Sequence, residues 1–198
     1  IGWLNESSSA SFYLVKVEAI QIGDSPPAPL LTLITGPSLE AVEAGHTKKE
    51  LVERHILREK FWTGLLEHAK GKSKLHANIS PGPHNWIGAS AGHTGLSLNF
   101  AIRQHDGQVE LYIDVDKETG EGNTKIFNKL HGHKDEIEKA FGEPLEWEAL
   151  EAKRACRIRK TVGVGGWRDE EKWPDTYEAM ADAMVRLEKA LKPYLQKL

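Results

Sequence analysis

Two alternating segments joined by a tight turn restrict the fold of this chain more than any other feature. Residues 96–103 alternate apolar and polar side chains, and Asp106-Gly107 is a typical hairpin turn. In the return segment, 109–115, apolar and polar side chains lie on opposite sides, because successive residues of a strand point to opposite faces. The sequence therefore predicts an antiparallel pair of strands with one buried face.

Three segments with helical periodicity are predicted to cover that face. They are 48–70, 123–141 and a last helix that begins at Pro174, a residue favoured in the first helical turn. A short strand near Trp147 and a longer one at 154–162 complete the order helix, strands, helix, two strands, helix. We therefore predict an α+β fold, a mostly antiparallel sheet covered by about three helices.

The beginning of the chain is predicted to be a separate element. Residues 12–22 and 30–34 are rich in aromatic and β-branched residues, with Gly23 and two prolines in the turn between them. Two strands cannot bury a core of their own, so we expect this short β-hairpin to be a remnant of a larger unit. Residues 36–47 are predicted to be a linker. Because the sequence begins with isoleucine, we expect it to be a piece of a longer chain.

Composition excludes several classes of protein. The 198 residues include 26 Lys and Arg against 29 Asp and Glu, a net charge of −3. This balance excludes attraction of the whole molecule to DNA or to an anionic membrane, so any polyanion site must be a local patch. No apolar run approaches the roughly 20 residues that span a bilayer, and no membrane partner is predicted. The single cysteine, Cys156, predicts no intrachain disulfide and favours a cytoplasmic location.

A local basic cluster lies in the last predicted strand. It contains five basic residues and no acid: Lys153, Arg154, Arg157, Arg159 and Lys160. On a strand, Lys153, Arg157 and Arg159 share one face at spacings of about 6–7 Å and could bridge successive phosphates. We call these three residues the basic row. The acid-rich stretch before them offers the alternative, cross-strand ion pairs that neutralise the row.

Further residues extend the candidate nucleic-acid surface. Arg103 would lengthen the basic row if its strand is adjacent, and Trp86 and Trp167 are candidates to stack on bases because they lie in polar, glycine-rich loops. The loop 163–166 is interpreted as a flexible connection, since no Lys-Ser/Thr follows it as in a phosphate-binding loop. The nine histidines contain one close pair, His131 and His133, whose spacing on a helix points them apart. We therefore predict no metal and no cofactor.

Two stretches of the sequence resemble known families. Residues 48–197 resemble an uncharacterised bacterial domain of unknown function that follows nuclease-like domains. The phrases that carry this resemblance are Phe61-Trp62, Leu75-His76-Ala77-Asn78-Ile79-Ser80, Asn85-Trp86-Ile87-Gly88, Ile102-Arg103-Gln104, Val109-Glu110-Leu111-Tyr112-Ile113-Asp114 and Arg154-Ala155-Cys156-Arg157-Ile158-Arg159-Lys160. The phrases Trp3-Leu4-Asn5-Glu6, Val17-Glu18 and Ile22-Gly23-Asp24-Ser25-Pro26-Pro27-Ala28-Pro29 resemble the end of a PD-(D/E)XK endonuclease-like domain.

This resemblance implies a division of the chain and a role. Residues 1–35 would be the C-terminal end of a nuclease-like domain without its catalytic part, 36–47 a linker, and 48–198 an accessory domain. The implied function is a non-catalytic nucleic-acid-binding accessory module of a defence or repair protein, with DNA favoured over RNA. No catalytic residues carry over, and the parent protein would be the endonuclease.

Two alternatives stay open. In the first, the domain is structural or forms a homodimer through the helices 48–70 and 174–197, and the basic row is merely paired. In the second, Glu110, Asp114 and the triplet Glu151-Ala152-Lys153 bind Mg²⁺ in a nuclease site. Such triplets arise easily by chance in an acid-rich stretch. The first alternative is decided by whether the side chains of 153–160 are open or paired with carboxylates.

Overall fold

The computed structural model describes residues 12–35, 39–149 and 155–198. The chain divides into two compact units, Ile1–Glu53 and Arg54–Leu198, and each is described by itself.

The first unit contains a β-hairpin. Strands β1 (Leu14–Ile20) and β2 (Ala28–Thr35) pair antiparallel. Gly23 makes the turn with a φ of 56°, a left-handed conformation that glycine adopts without strain. The predicted hairpin is therefore confirmed. Helix α1 (Leu39–Lys70) begins nine residues before the predicted start at 48, because Gly45 does not interrupt the helix.

The second unit is built on a five-stranded antiparallel sheet within the described residues. Besides the second part of α1, its elements are β3 (Trp86–Ser90), β4 (Leu96–Ile102), β5 (Gly107–Ile113), α2 (Glu121–His131), α3 (Lys134–Phe141), β6 (Glu146–Ala149), β7 (Cys156–Val162), a 3₁₀ turn (Glu170–Lys172) and α4 (Trp173–Leu195). The strand order in the sheet is β3-β4-β5-β7-β6. The predicted α+β class and the antiparallel sheet are confirmed.

The described residues contain four helices where about three were predicted, because the segment 123–141 is two helices. The backbone N–H of Gly132 donates to the carbonyl of Asn128 and ends α2, and α3 begins again after His133. Glycine is a poor residue in a helix interior and a common one at a helix end, which explains the break.

The strand register gives the sheet two chemically different faces. On the inner face, Phe100, Leu111 and Ile158 are fully buried. They form one core with side chains from each of the described helices, among them Trp62 and Met180. The opposite face, which we call the outer face, carries mostly polar side chains. This alternation agrees with a period of two in each strand.

His76 is buried against the sheet, with a relative exposure of 4%. Its Nε2 donates to the carbonyl oxygen of Leu98 at 3.0 Å, and its ring packs on Phe100. Burial lowers the pKa of His76 below its ordinary value, and the hydrogen bond to Leu98 opposes that shift only partly. The folded state therefore holds this imidazole neutral.

We expect a pH-dependent stability from His76. The unfolded chain binds a proton at His76 near the ordinary pKa of about 6.5, whereas the folded state resists it. The contribution of neutral His76 to the free energy of unfolding is therefore complete above about pH 6.5. It decreases as the pH falls toward the lowered pKa of the folded state. Urea denaturation between about pH 7 and 5 measures this slope. His76→Gln should flatten it, and an unchanged slope in that variant would contradict the assignment.

Candidate functional site

The predicted basic cluster is split between the two faces of the sheet. Arg157 and Arg159 of β7 lie on the outer face, whereas Lys160 lies on the inner side, as alternation in a strand requires. Lys153 and Arg154 lie outside the described residues. Of the basic row, the described part of the chain therefore contains two members, Arg157 and Arg159.

Both of these arginines are paired with carboxylates of the neighbouring strands. Arg159 Nη2 lies 2.7 Å from Glu146 Oε2 and 2.6 Å from Glu148 Oε1, and its side chain is only 13% exposed. Arg157 Nε lies 2.6 Å from Glu148 Oε2, and Arg157 Nη1 lies 3.8 Å from Glu110 Oε2. Glu148 therefore bridges the two arginines.

The register explains this pairing. Glu146 and Glu148 of β6 stand directly opposite Arg159 and Arg157 of β7. Burial alone would raise the pKa of Glu146, but the hydrogen bond from Thr161 and the charge of Arg159 outweigh it and lower that pKa. The acid-rich segment is thus held on the same face as the arginines, the arrangement of the first alternative.

A hydrogen-bonded group continues the pairing across the outer face. Asn99 Nδ2 donates to Glu110 Oε1 at 3.2 Å, and Glu110 is 7% exposed. Gln108 Oε1 accepts from Arg159 Nη1 at 3.3 Å. We call the set Glu110, Glu146, Glu148, Arg157 and Arg159 the outer lattice. Its three carboxylates face two guanidinium groups, so it has no excess of positive charge.

Two other predicted contact residues, Lys160 and Arg103, are not members of the outer lattice. Lys160 pairs with Glu143, which also accepts from Arg186 Nη2 at 2.9 Å. The hydrogen bond from Lys160 is the main cause that lowers the pKa of Glu143, and that from Arg186 adds to it. Lys160, Glu143 and Arg186 line a surface groove of about 560 Å³ between β7 and α4. Arg103 is half exposed. Its Nε lies 3.7 Å from Asp106 Oδ1, and its guanidinium group also donates to the side-chain oxygen of Gln108.

The two predicted stacking tryptophans differ sharply. Trp86 is 53% exposed on the outer face of β3, beside Gly88 and Asn99. Trp167 is 3% exposed. Its backbone N–H donates to the carbonyl of Arg103 at 3.0 Å. Trp167 is therefore a core side chain that has no free ring face for a base.

The end of the glycine-rich loop before Trp167 lies directly against the backbone of residues 104–105. A Cβ on Gly166 would lie 2.3 Å from backbone atoms of Gln104 and His105. The Gly166 N–H donates to Asp169 Oδ2, and this bond and the one from His105 lower the pKa of Asp169. Only a residue without a side chain permits this approach of two backbones.

The sequence reasoning missed a group of arginines around Trp167. The guanidinium carbons of Arg58 and Arg168 lie 5.6 and 4.8 Å from the centroid of its ring. Arg58 lies on α1 one turn after Arg54. The available signal was the helical periodicity of α1, in which both arginines continue the buried stripe of Phe61 and Leu65.

The described ranges contain no metal centre that would support the nuclease alternative. No group of three or more His, Cys, Asp or Glu side chains is arranged there to hold an ion. Glu151 and Lys153 lie outside those ranges. His131 packs against Trp147, whereas His133 packs against Tyr194, so the histidine pair does not converge. Among the described helices, each is too short or too polar to cross a bilayer.

Comparison with known proteins places the second unit in a family. Residues 57–195 match the family described as "Domain of unknown function (DUF4268)". The match covers well over half of the chain, which therefore belongs to this family. The expected domain of unknown function is confirmed, and its association with a PD-(D/E)XK nuclease-like domain stays a prediction. Neither a curated protein nor a solved structure matches the chain.

Proposed function

We propose that Arg54–Leu198 is a non-catalytic structural accessory domain in which the arginines of β7 tie the edge strand β6 to the sheet. The observation that carries this proposal is the outer lattice, where Arg157 and Arg159 pair with Glu146 and Glu148 of β6 and with Glu110 of β5.

The edge strand benefits from such ties because it is short. β6 has four residues, and among the described strands its backbone pairs with β7 alone. Each opposite-charge pair across two strands contributes roughly 0.2–1 kcal/mol, and charged side chains on an edge disfavour pairing with another chain. The same arginines are then unavailable to phosphates unless the carboxylates release them.

The apolar faces of the helices support a role within the chain. Met180, Leu187 and Leu191 of α4 are buried in the core of the unit, as are Phe61 and Leu65 of α1. A homodimer through these helices would therefore have to use the exposed apolar residues of α1, Leu51, Val52 and Ile56. Sedimentation velocity over a range of concentrations tests self-association, and the structural proposal predicts a monomer.

A stability measurement tests the lattice. The double variant Arg157→Met, Arg159→Met leaves three carboxylates facing one another, and we expect the free energy of unfolding to fall by about 1–3 kcal/mol, between the values for exposed and buried ion pairs. The control Lys16→Met removes the exposed pair of Lys16 with Glu18 and should cost less than about 1 kcal/mol.

The same variants test the alternative in which these arginines bind phosphates. In fluorescence anisotropy with a labelled oligonucleotide, we expect the double variant and the unmodified chain to titrate alike at about 50 and 200 mM salt. A salt-dependent affinity that the double variant loses would overturn the structural proposal, because it would assign Arg157 and Arg159 to phosphates.

A second candidate function is nucleic-acid binding by an accessory module of a nuclease-like protein, DNA before RNA. It is favoured by Trp86, which is exposed, and by Arg103, which lies at the same end of the outer face and is half exposed, although its guanidinium group also contacts Asp106 and Gln108. Aromatic stacking is worth about 1–3 kcal/mol per base. If this candidate function is correct, Trp86→Ala weakens oligonucleotide binding about tenfold. Equal oligonucleotide affinities of Trp86→Ala and the unmodified chain would contradict it.

A further inference from the structure

We propose that Arg54 and Arg58 of α1, together with Arg168, form a binding site for a phosphate group beside the ring of Trp167. This site goes beyond the structural role of the outer lattice and uses none of its residues.

The positions of the two arginines on α1 are unusual. Phe61 and Leu65 are fully buried on the inward stripe of this helix. Counting back in steps of three and four residues from Phe61 leads to Arg58 and then Arg54, because 3.6 residues make one turn. Positions that continue an apolar stripe therefore carry two positive charges, and both residues are partly buried.

Neither arginine is neutralised in the described part of the chain. The Nε atoms of Arg54 and Arg58 are both shielded from solvent and have no hydrogen-bond partner there. No ion pair joins either residue to a described carboxylate. Burial, followed by the neighbouring charge of Arg54, lowers the pKa of Arg58. Buried N–H donors of a charged group without an acceptor are unfavourable, and a bound anion would satisfy them.

Trp167 brings a third guanidinium group to the same place. The guanidinium carbons of Arg58 and Arg168 both lie within 5.6 Å of its ring centroid. The ring is fixed, because Trp167 is buried and its backbone bonds to Arg103. Stacking on a fixed ring restricts how the guanidinium planes turn, which reduces the entropy lost when they bind a ligand.

The chemistry of the ligand follows from the donors. The forked N–H groups of arginine match the oxygens of phosphate, and a phosphate offers more acceptor oxygens and more charge than a carboxylate. The nearby Asp169 is engaged by His105 and by the backbone of Gly166, so it does not compete for the arginines. The phosphate could belong to a small molecule or to a nucleic-acid backbone, and these sources share the same contact.

The test is isothermal titration calorimetry of the full chain with pyrophosphate in chloride buffer. We expect saturable binding that weakens about tenfold in Arg54→Gln and in Arg58→Gln, and that is lost when both changes are combined. The matched control is Arg186→Gln, because Arg186 is engaged by Glu143 and the carbonyl of Phe141. It should bind pyrophosphate normally.

Two further measurements separate a ligand site from a structural role. Without pyrophosphate, Arg58→Gln should unfold at the same temperature as the unmodified chain or at a higher one, since the repulsion from Arg54 is removed. With pyrophosphate, only the unmodified chain and Arg186→Gln should gain thermal stability. If a short oligonucleotide displaces pyrophosphate, the bound phosphate belongs to a nucleic-acid backbone. If the oligonucleotide does not displace it, the bound phosphate belongs to a small molecule.

The proposal is overturned by two results. One is the absence of a binding heat above that of dilution. The other is an equal loss of binding in Arg186→Gln and Arg58→Gln, which indicates unspecific attraction. Neither result bears on the outer lattice, whose test uses Arg157 and Arg159.

Discussion

Trp167→Ala is expected to lower the free energy of unfolding by about 3–5 kcal/mol, the range for truncating a large buried aromatic side chain. Trp86→Ala is expected to lower it by less than about 1 kcal/mol, because surface substitutions away from the core cost little. Trp167 is 3% exposed and Trp86 is 53% exposed. The two residues were predicted to have the same function, so they form a matched pair.

Urea denaturation followed by circular dichroism measures both changes, since the six tryptophans make fluorescence difficult to interpret. If Trp167→Ala does not fold, Trp167→Phe keeps most of the packing and should show a smaller loss of the same sign. A cost for Trp86→Ala equal to that for Trp167→Ala would contradict the assignment of Trp86 to the surface and of Trp167 to the core.

Gly166→Ala is expected to destabilise the fold by about 3 kcal/mol, at the upper end of overpacking effects. A Cβ at Gly166 would lie 2.3 Å from the backbone of Gln104 and His105, which cannot rotate away as a side chain can. The backbone hydrogen bonds from Trp167 to Arg103 and from Arg168 to Gln104 would be lost when the loop moves.

The control for this prediction lies three residues earlier in the same loop. A Cβ on Gly163 would meet no atom within 4 Å, and Gly163→Ala should change the free energy of unfolding by less than about 1 kcal/mol. Neither Gly163 nor Gly166 has a positive φ, so the difference between the variants reports the contact alone. Similar denaturation midpoints for the two variants would show that the loop is free to move, as the sequence suggested.

The ion pairs of the outer lattice change how the basic segment 153–160 is interpreted. In the sequence, Arg157 and Arg159 stand in a run without acids, which favours a polyanion surface. In the structure, the nearest carboxylates across the strands, Glu146 and Glu148, lie within 2.7 Å of their nitrogens. Charge along the chain therefore says little about charge on a sheet face, because the neighbouring strands set it.

Strong local patterns predicted several elements well. The hairpin of β4 and β5 follows from alternation, and α4 follows from its apolar spacing and Pro174. The predicted turn at Asp106-Gly107 is displaced, because Gly107 lies in β5 opposite Ile102 and the turn is formed by residues 103–106. The break between α2 and α3 was missed, although Gly132 marks it, because the apolar pattern continues from Phe127 to Phe141. Periodicity identifies a buried side but does not reveal that the backbone turns between two helices.

The candidate sites depended on distant contacts. Arg58 and Arg168 meet at Trp167 although they are far apart in the sequence, and no local motif joins them. Their convergence depends on how the loop 163–169 lies against residues 103–105, and that follows from Gly166.

The amino-acid sequence alone determined the α+β class, the antiparallel hairpin, the period of each element and the kinship to a domain of unknown function. These properties depend on neighbouring residues and on short repeats, which a single chain displays directly. Only the tertiary structure decided which charges are neutralised, which tryptophan is buried and which arginines converge. Strand order and helix packing bring distant residues within a few ångströms, and electrostatic and packing energies depend on those distances.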